Sequence, residues 1–337
     1  TGVSAIYLNG NVVAQQNLGV FTPQTGYDLW FGNRASTFDP SYVGLMDEID
    51  IFNRALSASE IQAIYTADSA GKCKVGTIFT VTNTNDSGAG SLRQAITDSN
   101  ASPDISTIRF NIQSGNLTII PASLLPSITG PVTIDGTTQP GFAGTPLIEL
   151  NGAGLQTNGL VCQAAVTIKG LVINRFGGHG IFLGSGSSGS VIVGNYIGTN
   201  VTGTAALGNS SGINVSGLSI SDITIGGTTA GTRNIISGNR VHGIDIGIAY
   251  NVVVQGNFIG TDITGTLDLG NSSNGIFASN IFGNDSHMTI GGPGAAARNL
   301  ISGNGGFGIY VRDHSHGSLI QGNYIGTDIT GSVAIGN

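Results

Sequence analysis

The sequence predicts an all-β chain, most of it a solenoid of stacked coils, and three observations lead there. One sentence is written three times: "NYIGTNVTGTAALGN" from Asn195, "NFIGTDITGTLDLGN" from Asn257 and "NYIGTDITGSVAIGN" from Asn323. A catalytic site is normally written once, because its members converge on a single reacting atom, whereas a unit that stacks on copies of itself has to be rewritten. A Gly-Ile or Gly-Leu pair recurs at Gly159, Gly180, Gly212, Gly243, Gly275 and Gly308, at an interval of 21 and then intervals of 31 to 33 residues. The 55 glycines lack the collagen period and sit among Ile, Val, Asn and Thr, which suits short strands joined by tight turns.

The bulk numbers narrow the function classes. A length of 337 residues suggests about two domains. Only 9% of residues are charged, and the net charge of -7 comes without a basic stretch, so nucleic acid and anionic membrane are poor partners. No apolar run approaches the roughly 18 residues of a membrane span. Cys73 falls in a linker and Cys162 in a strand interior, so the two are not expected to pair.

Taken in order, residues 1–70 read as strands and turns followed by one short helix. Ser57 and Glu60 form a capping box, each side chain satisfying a backbone N–H at the helix start, with Leu56 and Ile61 placed as a hydrophobic staple. "GLMDEIDIFNRALSASEIQAIY" resembles the closing segment of laminin-G-like, concanavalin A-like jelly-roll domains of secreted proteins. Such domains are longer, so the resemblance implies the C-terminal part of one, with glycan as its ligand and calcium as its candidate ion. The small, polar stretch "TADSAGKCKVG" follows, and residues 71–76 are assigned as a linker.

Residues 77–150 give a strand, a Gly/Ser turn and a second helix, capped by Ser91 and Gln94, with Leu92, Ala95, Ile96 and Ser99 on one face. Six of the nine prolines lie between Pro103 and Pro146, and none from there to Pro293. Proline removes a ladder donor, so the first coils should be irregular and residues 151–337 a regular sheet. Each repeat interval there holds two further apolar runs, such as "VVVQGN" and "FIGTD", making three strands per coil. Two coil types alternate, so "TIGG" recurs 65 residues apart, at 224 and 289.

This pattern resembles the right-handed parallel β-helix of pectin-lyase-like secreted bacterial proteins, and "FTVTNTNDSGAGSLRQAI" is similar to the cap of that group. The resemblance implies a secreted or cell-surface protein. It says little of activity, because that fold hosts lyases, hydrolases, adhesins and phage spikes.

Stacked coils place like positions in columns. Asn195, Asn234, Asn257, Asn299 and Asn323 fall in one column just before the third strand, where an amide's donors and acceptor can bond up and down the stack as a structural ladder. Five positions further on, Asn200, Asn239, Asp262, Asn304 and Asp328 are read as a second column. Asp262, Asp268 and Asn271 suggest a calcium cradle, but the other copies replace Asp268 with Ala206 and Ala334, so a turn geometry explains the repeat better.

"GGHGI" around His179 resembles the Gly-His-Gly signature of polygalacturonase-type hydrolases, but the paired aspartates and basic pair of those enzymes are missing. The column His179, Ser211, His242, Asn274, Phe307 reads as a tolerant turn. Arg233 and Arg298 are expected to pair with acids or turn carbonyls. No catalytic residue is assigned. Asp285, His287, Asp313, His314 and His316 lead into the second strand on adjacent coils, and imidazole with carboxylate suits zinc. A row of threonines for ice binding is broken, since Thr167, Thr224 and Thr289 alternate with aliphatics. The function expected is a structural or adhesive protein that binds glycan, the β-helix serving as a stalk or binding surface. The alternative is a polysaccharide-degrading enzyme.

Overall fold

The computed structural model describes residues 3–8, 11–17, 56–66, 76–113, 115–218, 220–229, 231–280, 287–313 and 317–337. The chain divides into two compact units, Thr1–Val75 and Gly76–Asn337. In the first, strands Val3–Leu8 and Asn11–Asn17 pair antiparallel with a register shift between Ile6 and Tyr7. Helix Ala58–Thr66 starts on the full capping box: Ser57 N–H donates to Glu60 Oε2 at 2.8 Å, and Glu60 N–H donates to Ser57 Oγ at 3.2 Å.

The second unit is a parallel β-solenoid with three main sheets of nine, eight and six strands, every main ladder within it parallel. One strand per coil joins each sheet, so the interior is three columns of aliphatic side chains. In the six-stranded sheet Ile181, Ile213, Ile244, Ile276 and Ile309 stand in register, the first four fully buried and Ile309 packed half-buried against the core. Leu183, one outward residue further along, is also fully buried, as period-two alternation requires.

The stacking begins earlier than the proline pattern suggests. Thr77–Val81, Ser106–Phe110 and Val132–Asp135 already run in parallel register in the nine-stranded sheet. Prolines are tolerated because they fall between these strands. Helix Leu92–Ala101 packs its Leu92, Ala95, Ile96 and Ser99 face into this first part of the core. Its box is half made: Ser91 Oγ accepts from Gln94 N–H, while the Gln94 amide turns instead to Asp98. On the outside of the nine-stranded sheet Thr107, Thr133 and Thr167 stand on consecutive coils, but beyond them Val191, Thr224, Val253 and Thr289 alternate in register, so the threonine row is broken.

The recurring glycine has a steric cause. A Cβ on Gly243 would lie 2.6 Å from the Gly275 carbonyl oxygen, and one on Gly275 the same distance from that of Gly308. Each of these glycines is overlain by the next, so no side chain fits between coils.

Candidate functional site

Two asparagine ladders and one hairpin per long coil fix the surface geometry. Asn195, Asn234, Asn257, Asn299 and Asn323 are joined end to end: each Nδ2 donates to the Oδ1 of the next, at 3.2, 2.9, 3.1 and 2.9 Å. The same Oδ1 also accepts the preceding rung's backbone N–H, so one side chain satisfies a buried turn.

The second ladder differs from the column counted along the sequence. Its members are Asn209, Asn239, Asn271, Asn304 and Asn337, linked at 3.2, 2.9, 2.8 and 2.7 Å. Asn239 and Asn304 belong to it, whereas Asn200, Asp262 and Asp328 do not. The cause is an insertion. In alternate coils the chain leaves the wall as a small hairpin, closed by Thr199–Ala206, Thr261–Asp268 and Thr327–Ala334 bridges, and the ladder asparagine comes after it.

Asn200, Asp262 and Asp328 instead staple these hairpins. Asp262 Oδ1 accepts from the N–H groups of Thr266 and Leu267, and both its oxygens take the Thr264 hydroxyl. Burial raises the Asp262 value, but those hydrogen bonds outweigh it and hold the carboxyl below its ordinary range. Asp268 accepts from Gly270 N–H and Asn271 is a ladder rung, so the three residues of the calcium reading are engaged in the turn.

The proposed histidine cluster lies largely beyond description: Asp285, His314 and His316 fall outside the described residues. His287 is exposed with φ +46°, beside Gly317. Asp313 pairs in register with Asn280. Among the described residues no group of three or more His, Cys, Asp or Glu is close enough to hold a metal ion. Cys162 is a buried free thiol, pushed up to about 12 by burial, and Cys73 falls outside the described residues.

The surface that gathers chemistry is the outer side of the six-stranded sheet. Its middle row reads Val161, Phe182, Asn214, Asp245, Phe277 and Tyr310, one residue per coil. From Phe182 to Tyr310 this row spans about 19 Å at the usual strand spacing. Asn214 Nδ2 donates to Asp245 Oδ2 at 2.8 Å. The turn column His179, Ser211, His242, Asn274, Phe307 runs beside it, each residue's carbonyl accepting from a glycine of the neighbouring coil.

That column is an acceptor series: Asn158 Oδ1, Ser211 Oγ, His242 Nδ1 and Asn274 Oδ1 take the backbone N–H of His179, His242, Asn274 and Phe307 respectively. His242 Nδ1 is therefore unprotonated and its Nε2 carries the hydrogen. Burial lowers the His242 value, with Asp245 pulling the other way; His179 is lowered by burial and by His242, again against Asp245. Both shifts favour the neutral ring.

Aromatic rings complete the face. His242 stacks on Phe277 with centroids 4.8 Å apart and planes at 9°, and Phe277 meets Tyr310 edge-on at 5.6 Å. Phe307 lies 5.2 Å from Tyr310 and is 63% exposed, and Arg312 reaches over Phe277 at 5.9 Å. No shared motif marks this row, because its members are different residue types that only the register aligns.

Residues 1–62 match the family model described as the concanavalin A-like lectin/glucanases superfamily, of the laminin G type. No curated protein matches the chain.

Proposed function

We propose that the chain is part of an extracellular or cell-surface protein that binds glycan, and that the six-stranded face of its pectin-lyase-like β-helix is a carbohydrate-binding surface. The carrying observation is the row Phe182, Asn214, Asp245, Phe277, Tyr310, in which aromatic rings flank a hydrogen-bonded amide and carboxylate. Sugar rings present apolar C–H faces that stack on aromatics and hydroxyl edges that bond to carboxylate, amide and imidazole. An extended polysaccharide lying along the solenoid would meet one coil per sugar. The match of residues 1–62 to a superfamily named for lectins and glucanases supports a glycan ligand for the first unit as well.

Binding is favoured over cleavage because the row has a single carboxylate, Asp245, whereas glycoside hydrolysis commonly uses two. The test is a titration of the full chain with cello-, xylo- and chito-hexaose and with a panel of plant, algal and host polysaccharides, read for both affinity and release of reducing ends. Phe277→Ala with Tyr310→Ala should weaken binding about tenfold or more if each ring contributes about 1 kcal/mol. Unchanged affinity in that variant overturns the assignment of the face, and released reducing ends would favour the enzyme.

A further inference from the structure

The three repeated hairpins build a second surface on the opposite chemistry. Outside the eight-stranded sheet, Tyr196, Ile235, Phe258, Leu300 and Tyr324 stand in register and the first four are buried. The hairpin glycines press on the rings of their own coils: a Cβ on Gly265 would lie 3.1 Å from Phe258, and one on Gly331 2.9 Å from Tyr324. Ile263 N–H bonds to Gly203 O and Ile329 N–H to Gly265 O, so the hairpins form a continuous wall.

Facing that wall stand Arg233 and Arg298, at like positions two coils apart, a separation of about 10 Å. Each guanidinium lies over the ring of the next coil, Arg233 over Phe258 at 4.1 Å and Arg298 over Tyr324 at 4.0 Å. Each Nε is fixed to a coil carbonyl, Gly256 O at 3.2 Å and Gly322 O at 2.9 Å. Neither reaches an acid: the ion pairs among the described residues are Arg93–Asp86 and Lys169–Asp135. Their Nη1 and Nη2 atoms have no hydrogen-bond acceptor among the described residues.

Three adjoining cavities share Arg233, with volumes of about 420, 190 and 200 Å³, and the third also reaches Arg298. They run between the hairpin residues Ile263 and Ile329 on one side and the turns at Thr228 and Ala295 on the other. A charge held flat on a ring, anchored at one nitrogen and left without a counter-charge is preorganised to receive an oxyanion through its free fork.

We infer that this groove binds a linear acidic polysaccharide, whose carboxylate or sulfate groups meet Arg233 and Arg298 at every second sugar. The site is separate from the six-stranded face and does not depend on that face binding anything. Two repeats of one coil pair supply two equivalent oxyanion positions, which a polymer with a two-sugar period satisfies and a single small anion does not.

The experiment titrates the full chain with three probes: a polygalacturonate octamer, a sulfated glycosaminoglycan octasaccharide and neutral cellohexaose. Both acidic chains or one of them should bind, with affinity that falls as salt is raised, and their order identifies carboxylate or sulfate as the preferred group. Arg233→Met with Arg298→Met should lose about ten- to hundredfold in affinity for the acidic probe, the scale of lost charge-assisted hydrogen bonds. Arg233→Lys with Arg298→Lys keeps the charge and guards against misfolding of the Met variant; it should bind between the two. Cellohexaose affinity should be the same in the native chain and in the Met variant, because neither arginine belongs to the six-stranded face. No binding of either acidic chain, or full acidic affinity in the folded Met variant, overturns the proposal.

Discussion

Asn257→Ala is the sharpest test of what the repeated sentence is for. The Asn257 side chain is fully buried and makes five hydrogen-bond contacts, the two N–H groups of Nδ2 being shared among three acceptors. Its Nδ2 donates to Ile225 O at 2.9 Å, Gln255 O at 3.0 Å and Asn299 Oδ1 at 3.1 Å, and its Oδ1 accepts from Asn234 N–H and Nδ2. Truncation leaves the Asn234 N–H facing a gap, at about 1 to 3 kcal/mol, and removes donors from two carbonyls at about 1 kcal/mol each. These terms overlap, so a loss of about 3 kcal/mol is expected. Asn323→Ala removes a half-buried rung bonded to Asn299 alone within the ladder, and should cost about 1 kcal/mol. Because coils contact only their neighbours, the loss should be local. Native-state amide exchange at Ile235, Phe258 and Leu300 measures it, and opening free energies unchanged to within about 0.5 kcal/mol would refute the ladder as a source of stability.

Other outcomes follow from the same geometry. Gly243→Ala places a methyl 2.6 Å from the Gly275 carbonyl oxygen and 2.8 Å from Ile259, and should destabilise by about 1 to 3 kcal/mol in a urea melt; a neutral result would mean that the coils can separate freely. His179 and His242 have lowered values in the fold, so below the ordinary imidazole value of about 6.5 the unfolded chain takes up protons first. Stability should therefore fall as pH drops from about 7, and His179→Gln with His242→Gln should flatten that slope; parallel pH profiles would contradict it. In a Cys73→Ser chain, Cys162 should resist a thiol reagent at pH about 8 until the protein unfolds, and rapid labelling of the folded protein would show that strand open.

Much of the solenoid is legible in the sequence because stacking leaves a linear trace. The Gly-Ile pair marks where a glycine lies under the next coil, and the first asparagine column keeps a constant distance ahead of its strand in every copy. The second ladder breaks that count, since alternate coils insert a hairpin before Asn209, Asn271 and Asn337. Fixed spacing therefore reaches Asp262 where the stack uses Asn271. Contacts between coils leave no local trace either. Arg233 meets Phe258 and Asn214 meets Asp245 across 25 and 31 residues, and neither pair shares a motif. The arginines do reach turn carbonyls, but rings take the place of the acids that charge alone suggests.

The most direct measurement is a crystal structure of the full chain with the tightest-binding neutral hexasaccharide. Sugar rings should lie over Phe277 and Tyr310, with hydroxyls bonded to Asp245, which Asn214 holds from its buried position, and the chain running from coil to coil. Saccharide bound elsewhere on the chain, with this row left in water, would contradict the six-stranded face as a carbohydrate surface.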